Sequence, residues 1–118
     1  MKVVRVPEVP ETPANSDLMI NGVVTRQAVA PDVKSFNCGI VNFGAGARNK
    51  FHSHSGDQIL VITSGIGLVV TDGERIEVRT GDIIHIPAGE KHWHGARAES
   101  AMSHITITAK DSETETLE

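Results

Sequence analysis

The sequence predicts an all-β protein, a sandwich or barrel of eight or more short strands, and three observations carry that reading. Apolar, β-branched runs are short and cut by turn residues. Glycines recur at the corners between them, and no window of a dozen residues holds a sustained helical stripe. With 118 residues there is room for one domain.

Residues 1–17 carry Pro7, Pro10 and Pro13 among polar residues, so an extended N-terminal arm is expected, free to pair at a sheet edge. Residues 18–110 form the expected barrel domain. Its runs MINGVVTRQAV, FNCGIVNF, QILVITSG, GLVVTDGERIEV, DIIHIPAGE and MSHITIT read as strands. Asp72-Gly73, between GLVVT and ERIEV, is a hairpin signal. Residues 111–118, DSETETLE, are expected to be a disordered acidic tail.

That tail holds Asp111, Glu113, Glu115 and Glu118, which account for the whole excess of 15 acidic over 11 basic residues and leave the body neutral. No basic stripe with interleaved aromatics appears, so no nucleic-acid partner is expected. No stretch approaches the ~20 apolar residues that span a bilayer, and the first residues lack the apolar core of a signal peptide. The expectation is a cytoplasmic protein without membrane contact. Cys38 is the one cysteine, which excludes an internal disulfide and suits a small packing residue.

Histidine is the surplus of the composition, with six at positions 52, 54, 85, 92, 94 and 104. His52 and His54 are two apart, and residues so spaced on a strand project from one face. Gln58 lies past the Ser55-Gly56-Asp57 turn and can fold back as a third ligand, and the Pro87-Ala88-Gly89 turn presents His92. Two local ligands and a remote one suit a metal that joins neighbouring strands; a solvated His-x-His face is the plainer alternative.

From Gly46 the chain runs five residues to His52, one to His54, three to Gln58 and six to Gly65. From Gly81 it runs five residues to Pro87, one to Gly89 and two to His92. Both motifs resemble those of the cupin superfamily, and the resemblance covers about residues 33 to 109. It implies a cupin-type jelly-roll β-barrel (double-stranded β-helix) with one divalent metal ion near its mouth, held by His52, His54, Gln58 and His92. Manganese is the first expectation, with iron, nickel and zinc open. The family's usual glutamate and asparagine are Gln58 and Ala96 here. Three neutral imidazoles and an amide leave a divalent ion its full charge, which favours Lewis acidity, although an amide holds metal more loosely than a carboxylate.

The stretch GDIIHIPAGEKHWHGA followed by AMSHIT is similar to a subgroup of small cupins associated with carboxymuconolactone decarboxylase, some of which are manganese-dependent hydroxynitrile lyases. The resemblance implies a lyase acting on a small organic hydroxy or carbonyl compound. A metal-dependent dioxygenase or isomerase, and a binding module without turnover, are the alternatives. The histidine of the subgroup's Met-x-His segment carries over as His104.

His104 and His94 are the candidate catalytic residues, as proton-moving groups. Met102, His104, Thr106 and Thr108 share one strand face, too polar for a dry core. His94 has the parity of His92, so it faces the cavity or is a structural residue near the mouth. His85, in an apolar run, reads as a core or interface histidine bonded to backbone. Trp93 should pack outward. Arg48 and Lys50 share the parity of His52 and either extend the metal-bearing face toward an anionic substrate or mark a solvated strand end. Asp57 should cap its turn. Free imidazole ligands would tie metal affinity to pH near 6.5. Apolar residues on both faces of QILVITS and GDIIHI suggest a homodimer around a small-molecule site.

Overall fold

The computed structural model describes residues 1–14 and 16–118, and its regular structure is strand apart from one short 3-10 turn at Val6–Glu8. The strands are β1 (Thr12–Pro13), β2 (Met19–Ile20), β3 (Val24–Gln27), β4 (Phe36–Phe43), β5 (Arg48–Asn49), β6 (His52–His54), β7 (Gln58–Val70), β8 (Arg75–Arg79), β9 (Ile83–Ile86), β10 (Trp93–Ala96), β11 (Met102–Ala109) and β12 (Thr114–Thr116). All named pairings are antiparallel.

One layer runs β1-β3-β4-β11 and ends on the first half of β7, whose other edge carries β9. The second runs β2-β5-β10 and ends on the second half of β7, whose other edge carries β8. The 13 residues of β7 therefore belong to both layers. The change of layer falls at Gly65, where φ is +78° and a Cβ would collide with the Ala101 carbonyl oxygen. Only glycine fits there. The Asp72-Gly73 hairpin joins β7 to β8, closed by the Thr71 N–H donating to the Glu74 carbonyl at 2.9 Å.

Between the layers lies a core of Val24, Val41, Phe43, Ala47, Ile62, Val69, Val78, Ala96 and Met102. It fills one end of the barrel. The other end is an open cavity of about 530 Å³ lined by histidines, threonines and the inner faces of β3, β4 and β11.

The N-terminal arm pairs at a sheet edge, as its sequence allows, whereas the acidic tail departs from expectation. The N-terminal arm is pinned: β1 pairs with β3, and Gln27 Nε2 donates to the carbonyls of Val6 and Val9 at 3.1 and 3.0 Å. The acidic tail is not disordered. Thr114, Glu115 and Thr116 pair with His54, Ser53 and His52 as β12, and Glu118 closes on Arg48 at 3.0 Å and accepts the Phe51 N–H. Composition alone misread it, because it does not register the open edge of β6, which offers the tail a backbone ladder, or Arg48, which pairs with Glu118.

Candidate metal centre

His52 and His54 sit on β6, and His92 comes to them from the loop before β10. His52 and His92 exchange both backbone hydrogen bonds, each N–H donating to the other's carbonyl at 2.9 Å. The turn carrying His92 is stitched to the same strand: Gly89 N–H donates to the His54 carbonyl at 2.8 Å, and Ala88 N–H to Asp57 Oδ1 at 2.8 Å. Asp57 thus caps the turn of the second motif rather than its own.

The ligating nitrogens of His52, His54 and His92 lie within 4.8 Å of one another. Each ring is oriented from behind. Nδ1–H of His52 donates to the Lys50 carbonyl at 2.6 Å and that of His92 to the Glu90 carbonyl at 2.8 Å. His54 Nδ1 meets Thr114 Oγ1 at 2.9 Å. A neutral imidazole that donates from Nδ1 keeps its lone pair on Nε2. The Nε2 atoms of His52 and His54 are buried and without a partner.

Gln58 completes the pattern. Its Nε2 donates to Thr106 Oγ1 at 2.9 Å, which turns Oε1 onto His92 Nε2 at 3.2 Å. Two acceptors then face one another with no proton between them, alongside two orphaned imidazole lone pairs. A cation relieves all of these at once, so the donor set fits a divalent metal ion. Burial holds the imidazoles in the neutral, ligating form: it pushes His52 down to about 4 and lowers His54 and His92. Proton competition for a metal thus moves below the pH of 6.5 that free imidazole implies.

His94 is a neighbour of this cluster rather than a fourth imidazole in it. Its ring lies 5.6 Å from those of His52 and His92, and its nitrogens are taken. Asn49, on β5, accepts the His94 backbone N–H on Oδ1 at 2.9 Å, so its Nδ2 is the end that faces the ring, 3.2 Å from Nε2. The same Nδ2 stands 3.4 Å from His94 Nδ1, so Nε2 is the nearer of its two ring acceptors; with Nε2 accepting, Nδ1–H donates to His104 Nε2 at 3.0 Å. That order leaves the proton of His104 on Nδ1, which is buried and has no partner among the described residues. A β-bulge at Thr63, opposite the Ser103/His104 step, sets the register that brings His104 and Ile62 face to face. Burial pushes His104 down to about 4, opposed in part by its own backbone, and holds His94 well below the usual range, with His104 adding to the effect.

His52, His54, Gln58, His94, His104 and Thr106 all line the cavity, and Thr108 continues the row from His104. His85 does not belong to it. Its side chain is 58% exposed and stands 3.7 Å from Asp57, so the core reading of its apolar run is corrected: β9 is an edge strand whose outer face looks to solvent. Arg48 also points elsewhere, stacking on Trp93 at 4.5 Å and pairing with Glu118. Asn49 and Thr114 escaped the sequence reading, one among strand residues without motif and the other in the tail; Thr106 was visible only as a polar member of the His104 row.

With this geometry in view, residues 39–108 match the Cupin domain family model. The chain belongs to the cupin family. Over 79 residues it is 39% identical to the (R)-mandelonitrile lyase of Granulicella tundricola, an alignment that covers 66% of this chain and 60% of that one. Over 89 residues it is 30% identical to the acireductone dioxygenase of Trichormus variabilis, covering 63% of this chain and 49% of the relative. This cupin thus spans between about half and three fifths of the length of these relatives. A crystal structure of a cupin-like protein from Thermotoga maritima superposes with a TM-score of 0.83 at 32% identity, covering 90% of this chain and 84% of that one.

Proposed function

We propose that this cupin is a mononuclear metal-dependent enzyme of lyase type acting on a small organic hydroxy or carbonyl compound. The observation that carries the reading is the pairing of two sites at one cavity: a three-histidine cluster of which His52 and His54 line the wall, and a separate buried His94–His104 pair on the same wall. The likeness to a mandelonitrile lyase supports the reaction class.

A divalent ion, manganese first among the candidates, would be held by His52, His54, His92 and Gln58 and would supply Lewis-acid polarisation of a substrate oxygen. The protein's own part is to place and hold. His104 holds a proton at Nδ1 and offers it as a hydrogen bond to the substrate oxygen on which negative charge builds. His94 fixes that tautomer, and Asn49 fixes His94. Phe43, whose ring lies 5.9 Å from His94 and 5.4 Å from His104, walls the pair from water on the core side. A dioxygenase reading rests on the acireductone dioxygenase likeness and uses the same donor set.

Metal analysis with two variants tests the reading. The wild type should carry close to one equivalent of divalent metal and His52→Ala/His54→Ala none. His104→Ala should keep the metal and lose turnover of whichever small hydroxy compound the wild type cleaves, from a panel that holds both cyanohydrins and hydroxy acids. Full metal in the double variant would overturn the site, and unchanged turnover in His104→Ala would overturn the role of His104.

A further inference from the structure

The cavity carries a charge pattern that neither the metal centre nor the His94–His104 pair explains. No aspartate or glutamate lines it, although the chain as a whole is acidic, and two cations do: Arg26 and Lys110. Strand register fixes how they face. Arg26 on β3 stands opposite Val41 on β4, Val41 opposite His104 on β11, and His104 opposite Ile62 on β7. Residues directly opposed across antiparallel strands share a face, so Arg26 lies in the same row as His104, two strands away, with its side chain at the exposed mouth of the cavity. Lys110, one residue past the end of β11, continues the alternate spacing of His104, Thr106 and Thr108, and its N–H still donates to the Ser35 carbonyl, which carries it to the rim.

Neither cation makes an ion pair among the described residues. Other unpaired cations exist, Arg5 and Lys34 among them, but they do not line the cavity. Between the two lies Gly39, opposite Thr106, where the missing side chain leaves room for a ligand. Thr106 and Thr108 add hydroxyl groups to the same wall.

From this juxtaposition we infer that the cavity selects an anionic substrate, a small hydroxy or oxo carboxylate whose carboxylate is bound by Arg26 and steered in past Lys110 while its hydroxyl or carbonyl end reaches His104. The inference deepens the proposed function and rests on the same cavity being the reaction site. Anion selection falls to these two residues rather than to Arg48 and Lys50, since Arg48 is spent on Glu118 and Trp93. A guanidinium in a cavity binds a carboxylate through paired charge-assisted hydrogen bonds, which an uncharged amide of equal size cannot match.

Equilibrium binding of mandelate and of mandelamide, which share one skeleton and differ in charge, tests this. Metal-free protein is used first so that preference for the acid cannot come from a metal ion. The wild type should bind mandelate at least about tenfold more tightly, and Arg26→Gln with Lys110→Gln should shrink the ratio below about threefold. Arg26→Lys, which keeps the charge, should retain much of it, and added salt should lower it in the wild type only. Equal binding of the two probes by the wild type, or a ratio unmoved in the double variant, would overturn the inference. Metal content of the same preparations reads the metal centre separately: bound metal without acid preference overturns this inference alone, and acid preference in protein that takes up no metal overturns the metal centre and sustains this one.

Discussion

His94 Nδ1 and His104 Nε2 meet across 3.0 Å, and the direction of that bond turns on Asn49, a buried residue of the cavity wall. Asn49 accepts a backbone N–H with one end of its amide and so presents its donor end to His94. Asn49→Asp would replace that donor with an acceptor. His94 should then carry its proton on Nε2, accept on Nδ1, and leave His104 with a lone pair on Nδ1. Nitrogen-15 spectra of the imidazoles read the tautomers directly; an unchanged His104 tautomer in Asn49→Asp would contradict the hydrogen-bond order described.

Thr114 is the positioning residue for His54, since its hydroxyl sits 2.9 Å behind Nδ1. Thr114→Val keeps the shape and removes the acceptor, and should weaken metal binding about tenfold to a hundredfold, whereas Thr114→Ser should stay close to wild type. Chelator competition measures this. Equal affinity in all three proteins would show that the hydroxyl does not orient the ring.

Acid should destabilise the metal-free protein in a defined window. His104 titrates near 6.5 in the unfolded chain and at about 4 when folded. The unfolded state therefore binds the extra proton first, so the stability is whole above pH 6.5 and declines as pH falls toward 4. The buried imidazole alone contributes about 3 kcal/mol over that span. Denaturant unfolding of His104→Gln against wild type between pH 7 and 4 should show a shallower decline in the variant.

Gly65→Ala should cost about 3 kcal/mol or more, because an added methyl meets the Ala101 carbonyl and φ is +78°. Thermal unfolding reports it, and a midpoint unchanged from wild type would show that the two layers can separate at that corner without penalty.

The ligand cluster was legible in the sequence because its spacing is local and periodic: His52 and His54 two apart on a strand, His92 just past a Pro-x-Gly turn. Strand positions followed from β-branched runs in the same way. What lay hidden depends on register. Arg26 is distant in sequence from His104, and only the pairing of β3 with β4 and β4 with β11 puts them in one row. The tail misled because its charge was weighed and the open edge of β6 was not. The core alternative for His85 misled because an apolar run looks alike whether a strand is central or at an edge, and only topology separates the two.

The route by which this chain reaches its native state is constrained by β4. Phe36 pairs with Ala109 and Phe43 with Met102, so the strand at the middle of its layer waits for a partner from the far end of the domain. Until β11 arrives, Ile40 and Val41 have no second neighbour along that edge. Such non-local closure places folding in the slow regime of milliseconds to seconds for all-β domains. It also makes the unfinished edge of β4 the place where a stalled chain would seek the wrong partner.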